Sequence, residues 1–147
     1  MDEVGPGLDD RQLEDLVERV RRSPFHHWVG LKVLSVGDGK AEVRMELEPH
    51  HFNPQGIVHG GVITAIGDTA IGLALRSQLR AGLTHRTAQL NVHFLAKGEG
   101  TYLIGLGRAL HLGQRMGYGE AEVMDGQGQL IARASGTFIV LPAPGVF

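Results

Sequence analysis

Gly60-Gly61-Val62-Ile63-Thr64-Ala65-Ile66-Gly67-Asp68-Thr69-Ala70-Ile71-Gly72-Leu73-Ala74-Leu75, continued by Arg76-Ser77-Gln78-Leu79, is the stretch on which the fold turns. Within Val62–Leu75 nine residues are Val, Ile, Leu or Ala, two are Gly, two are Thr, and one is charged, Asp68. The run is too long for one strand and apolar on every side, which predicts a buried central helix from about Gly60 to Leu79. It is too short to span a bilayer, and Asp68 sits inside it.

Outward from this helix the periodicity changes. Upstream, Ala41, Val43, Met45 and Leu47 alternate with Lys40, Glu42, Arg44, Glu46 and Glu48, the pattern of a half-buried antiparallel strand. Leu31–Val36 is its expected hairpin partner across Gly37-Asp38-Gly39. Downstream only strands follow. Ala88, Leu90, Val92 and Phe94 alternate with Thr87, Gln89, Asn91 and His93. Thr101–Leu112 is long and apolar, and Gly117–Met124 pairs with Gln129–Leu141 through Asp125-Gly126-Gln127-Gly128. Near the N-terminus, Leu13, Leu16, Val17 and Val20 draw one apolar stripe on a helix of roughly Leu8–Arg22, with Asp9 or Asp10 as cap. Ser23-Pro24 opens a second short helical turn that ends near Gly30. The expected architecture is α+β: an antiparallel sheet wrapped around one long central helix, preceded by an N-terminal helix. Residues 1–22 are expected to form an extension and residues 23–147 the domain proper. A helix of such apolar girth needs cover beyond one sheet, which a second copy of the chain could supply.

Composition bounds the rest. The 147 residues are 42% hydrophobic and 20% charged, enough for one cored domain. There is no Cys, which excludes disulfides, thiolate catalysis and Cys-ligated metal, and fits a cytoplasmic protein. A net charge of −2 argues against nucleic acid as partner. The first ten residues do not read as a signal peptide, and no membrane segment is expected. The 22 glycines are an outlier, read as turn residues. His26-His27 and His50-His51 are adjacent pairs without ligand spacing, so no metal site is expected. Neither a phosphate-binding Gly-rich loop nor a nucleophile elbow occurs.

The chemistry gathers at the start of the central helix. Two glycines there let a ligand approach bare backbone N–H groups, where the helix dipole favours an anion or a developing oxyanion. They could equally serve only to pack the helix on a strand. Asp68 in an apolar helix needs a partner, a water or a task, and burial would push its carboxyl up toward the range of a general base. A second N-cap after Gly67, or a bond from a neighbouring hydroxyl, would also account for it. Asn53 before Pro54 can form an Asx turn, and His59 a contact in the first helical turn.

Asn53, Gly56, His59-Gly60-Gly61 and Asp68 follow the pattern N-x-x-G-x-x-H-G-G-x7-D. On these residues the chain, from about Phe25 to Leu141, resembles hotdog-fold acyl-CoA thioesterases of the phenylacetate-degradation (PaaI-like) type. The resemblance implies hydrolysis of acyl-CoA, with aryl or medium-chain acyl groups and no metal or redox cofactor. It implies Asp68 as general base or nucleophile, Gly60 as oxyanion donor, Asn53 and His59 as positioners, and Thr87 as the hydroxyl that holds the attacking water. Gly61 and Gln55 would lie against the substrate. Arg86, Lys97, Arg108 and Arg115 are candidates for the coenzyme A phosphates, with Arg86 and Lys97 preferred. The family site lies between subunits, and the helix gives the same answer: eight residues separate Gly60 from Asp68 by about 12 Å, too far to touch one carbonyl. A homodimer with composite sites, assembled further to a homotetramer, is therefore expected. A hotdog dehydratase is disfavoured because Ile66 stands where its acid should be. A non-catalytic acyl-CoA-binding module remains the alternative, against which the presence of Asp68 argues.

Overall fold

The computed structural model describes residues 5–144. Two helices, α1 (Asp10–Arg22) and α2 (Pro24–Val29), lead into a hairpin of β1 (Leu31–Gly37) and β2 (Lys40–Glu46). A single 3-10 turn at Pro49–His51 precedes the long helix α3 (Gly60–Gln78). The strands β3 (Leu83–Phe94), β4 (Tyr102–Leu112), β5 (Met116–Asp125) and β6 (Leu130–Pro142) complete the chain. All pairings are antiparallel, in the order β1-β2-β4-β5-β6-β3, so β1 and β3 are the sheet edges. The sheet curls around α3 as expected from the helix's girth. Among the described residues no helix is long and apolar enough to cross a membrane.

Local signals explain the boundaries. Asp9 caps α1 by accepting from Gln12 N–H, and the Gln12 side chain returns the bond to Asp9 N–H. Pro24 starts α2, and Gly30 ends it in the left-handed region at φ 81°. His51 is buried, and both ring nitrogens are used: Nδ1 accepts from Glu48 N–H and Nε2 donates to the Val29 carbonyl. One half of a His-His pair is thus a structural pin between α2 and the loop that leads to α3.

The glycines were expected at turns, and several do sit there, but the strands hold another set. Gly105 and Gly107 on β4 and Gly117 and Gly119 on β5 face α3. A Cβ on Gly105 would come within 2.5 Å of Ile66, and one on Gly107 would collide with the Ala70 carbonyl. The helix lies in a groove of missing side chains, closer to the sheet than side chains would allow. Ile66, Ala70, Ile71, Ala74 and Leu75 are fully buried there. The other side of α3 is less covered: Ala65, Asp68, Thr69 and Arg76 are only half-buried.

Asp125 ends β5 as a buried carboxylate. Oδ1 accepts from the N–H groups of Gln127 and Gln129, and Oδ2 from that of Glu99, tying the β5–β6 turn to the β3–β4 loop. Burial pushes its carboxyl up, but the three backbone donors outweigh burial and hold it below the usual range. Asp125→Ala should therefore cost about 3 kcal/mol in chemical denaturation at neutral pH. With the folded pKa below the unfolded one, this contribution is present above the unfolded pKa. It fades as pH falls through the folded pKa, so the gap between wild type and variant should narrow in acid.

Candidate active site

Asp68 sits midway along α3, and its Oδ1 accepts a hydrogen bond from Thr87 Oγ1 at 2.7 Å. A β-bulge makes this pair. β3 pairs with β6 as Thr87↔Phe138 and then Gln89↔Thr137, so Ala88 is an extra residue. Before the bulge, His85 and Thr87 share the inward face with Val140 and Phe138. After it, Leu90, Val92 and Phe94 do. The uninterrupted alternation read from the sequence placed Thr87 opposite Leu90 and Ala88 beside it. The bulge overturns that reading, and Ala88 is exposed.

The helix start is a separate cluster. His59 is the N-cap of α3, and its Nδ1 accepts from Gly61 N–H at 2.8 Å. This leaves the ring proton on Nε2. His59, expected as a first-turn contact and a positioner, is a capping acceptor through Nδ1, and it consumes one of the two glycine N–H groups. Gly60 is the first helical residue, and its N–H has no acceptor among the described residues. The Phe94 ring lies where a Gly60 side chain would begin, 3.3 Å from an added Cβ, so Gly60 also permits close packing. Asn53 forms the Asx turn: its Oδ1 accepts from Gln55 N–H and Ile57 N–H, which orients the amide nitrogen. Gln55 is exposed at the tip of that loop.

Within one chain these two groups stay apart, because eight helical residues separate Gly60 from Asp68 by about 12 Å. The preferred basic residues are apart as well. Arg86 lies in the first half of β3 and Lys97 beyond its end, with roughly 26 Å of strand from Arg86 to Phe94. Lys97 pairs with Glu99 at 3.4 Å, and Arg108 with Glu120 at 3.9 Å.

Asp68 and Thr87 open into a cavity of about 670 Å³ between α1, α3 and the start of β3. Sequence reading missed several of its walls. His26 Nδ1 contacts Ser23 Oγ at 2.8 Å and its Nε2 contacts Thr69 Oγ1 at 3.3 Å. Burial pushes the His26 ring pKa down, against the pull of Asp68. His85 is pushed down by burial too, and its Nε2 donates to the Gly72 carbonyl at 2.7 Å. Neither histidine stood in a motif: His26 was weighed only as half of an adjacent pair without ligand spacing, and His85 carried no signal at all.

The thioesterase superfamily model matches residues 55–132, which cover the helix, the bulged strand and most of the sheet. The chain belongs to the thioesterase superfamily. It is 28% identical over 105 residues to the acyl-coenzyme A thioesterase PaaI of Escherichia coli, covering 71% of this chain and 73% of that protein. Among solved structures, a conserved protein of Pseudomonas aeruginosa superposes with a TM-score of 0.78 at 31% identity. That match covers 90% of this chain and all of the other. A variant of the phenylacetic acid degradation protein PaaI of Thermus thermophilus superposes with a TM-score of 0.72 at 28% identity. It covers 80% of this chain and 98% of that one. The fold is the hotdog fold of that superfamily.

Proposed function

We propose that the chain hydrolyses acyl-CoA thioesters to the free acid and coenzyme A, on aryl or medium-chain acyl groups. The observation that carries this reading is the Asp68–Thr87 pair at 2.7 Å, opening into a cavity large enough for an acyl group. Thr87 donates to Oδ1, which leaves Oδ2 of Asp68 for a water, and the Thr87 oxygen can accept from that same water. Asp68 takes a proton as the water oxygen bonds to the thioester carbon. The oxyanion that forms is met by the N–H of Gly60 at the positive end of α3 in a partner subunit, with Asn53 and His59 of that subunit holding the thioester. The carbonyl re-forms, the C–S bond breaks with its electron pair on sulfur, and the proton passes to the thiolate. Gly61 contributes backbone space and Gln55 a contact at the rim, with Arg86 or Lys97 toward the phosphates. The scheme needs no metal or redox cofactor.

Two features support a homodimer, and through it a homotetramer. The first turns of α3 are only partly covered by their own chain, with Gly61 exposed and Val62, Thr64 and Ala65 half-buried. The edge strand β3 offers twelve residues for pairing and ends in exposed Phe94, with exposed Leu95 directly after it. Release of free thiol from a panel of acyl-CoAs tests the activity. Binding without release would make the chain an acyl-CoA-binding module instead.

The shared site is tested by complementation. Gly60→Pro removes the proposed oxyanion donor at the helix position that best tolerates proline, and Asp68→Asn removes the base. Each homodimer should be almost inactive. In a mixed dimer the chain with Asp68 faces the other chain's intact Gly60, rebuilding one site of two. Random exchange makes about half of the dimers mixed, so about a quarter of the sites should recover. Mixed dimers verified by mass and still inactive would refute the shared site.

A further inference from the structure

Asp68, Gly72 and Arg76 stand at i, i+4 and i+8 on α3, a single stripe along the floor of the cavity. The floor changes character along its length. At one end are Asp68 and Thr87. In the middle the ring of His85 fills the space over Gly72, 3.1 Å from where a Cβ would begin, and Leu16 and Val20 of α1, Leu73 of α3 and Phe138 of β6 add apolar wall around it. At the far end Arg76 is half-buried, with Arg19 of α1 on the opposite wall.

Arg76 is the unusual member. Its Nη1 donates to the Leu79 carbonyl at 3.3 Å, and among the described residues no carboxylate forms an ion pair with it. Burial, and after it the charge of Arg19, push the Arg76 guanidinium below its usual range. Two acids also line the cavity. Asp68 is at the reacting end and Asp15 is exposed on α1. Arg86 is exposed on β3, beside Thr87 rather than at the far end.

We infer that the acyl group carries a terminal carboxylate, and that Arg76, at the far end of the cavity from Asp68, selects for it. The inference rests on the thioesterase reading and adds a substrate class to it. Eight helical residues put about 12 Å between Asp68 and Arg76, and the bond to Leu79 holds the guanidinium away from Asp68. An extended acyl chain of roughly eight to ten carbons covers that span. A guanidinium is suited to a carboxylate, because its planar fork can donate two parallel bonds. The N-terminal helix α1 then belongs to the substrate site, since Leu16, Arg19 and Val20 form its roof.

The test compares pairs of acyl-CoAs of equal length, an n-alkanoyl and an ω-carboxyalkanoyl member, from about six to twelve carbons. We expect the ω-carboxy member to be favoured by about tenfold or more in kcat/KM near eight to ten carbons. Arg76→Met should invert the preference, lowering kcat/KM for the ω-carboxy substrate and raising it for the alkyl one. Arg76→Lys should keep the sign of the preference with reduced size. Turnover of the alkyl series with no advantage for the ω-carboxy series at any length would overturn this inference alone. So would an Arg76→Met effect of equal size on both series, which would place Arg76 on the coenzyme A they share. Turnover of neither series by the folded protein would overturn the thioesterase reading, and the inference with it.

Discussion

Asp68→Asn should lower kcat for acyl-CoA hydrolysis by at least about two orders of magnitude, the usual worth of a positioned acid–base group. The substitution keeps shape and the ability to accept from Thr87 Oγ1, so the Asp68–Thr87 geometry of 2.7 Å has no reason to change. It removes only the charge and the basicity. KM should move little, because in the proposed scheme the thioester is held by the start of a partner subunit's α3. Assembly should persist as well, since the packing of α3 on the sheet uses Ile66, Ala70, Ile71, Ala74 and Leu75 rather than Asp68. Steady-state kinetics with light scattering on the same sample decides the matter. A variant with the mass of wild type and near-normal kcat would remove Asp68 from the mechanism.

Gly107→Ala should abolish the fold rather than merely weaken it. The added methyl would collide with the Ala70 carbonyl and the backbone of α3, and backbone cannot rotate away as a side chain tip can. Either α3 lifts off the sheet, which loosens the buried contacts of Ile66, Ile71 and Leu75 together, or β4 bends out of register. The cost of such overpacking in a dense core exceeds the usual 1–3 kcal/mol, and about 5 kcal/mol approaches the whole stability of a domain this size. The expected result is insoluble protein, or a soluble one without a cooperative thermal transition. Gly128→Ala is the control: a Cβ there meets open space, and only the strain of φ 79° remains. It should cost about 1 kcal/mol. Equal stability of the two variants would refute the groove as the seat of α3.

The elements were legible because their signals are local. The apolar helix, the Gly-Asp-Gly hairpin and the capped α1 each announce themselves within a dozen residues, and the sheet followed from their order. Two things were not legible. The glycines of β4 and β5 fell within expected strands, but their task could not be read, because close approach to a helix is a property of two distant segments. The inward turn of Thr87 depends on the bulge at Ala88, where the register shift is fixed by pairing with β6 and leaves no mark on β3 itself. In the candidate site, Asp68, Gly60 and Asn53 could be singled out by residue type and spacing. His26 and Arg19 could not, since they meet Asp68 only across a cavity that the N-terminal helices close against α3, and Arg76, although on the same helix, stood in no motif.

The bulge gives the reacting end of the site a parity. Side chains on β3 point alternately in and out, so the residue offered to Asp68 is set by whether the count of residues up to the bulge is odd or even. Sliding β3 by one position would not move Thr87 slightly. It would retire the hydroxyl to the opposite surface and present Arg86 or Ala88 in its stead, a cation or a methyl where a small donor is wanted. Substitution can retune this corner by degrees, but a single-residue insertion or deletion on either side of Ala88 acts as an on–off change, and a second one nearby would restore it.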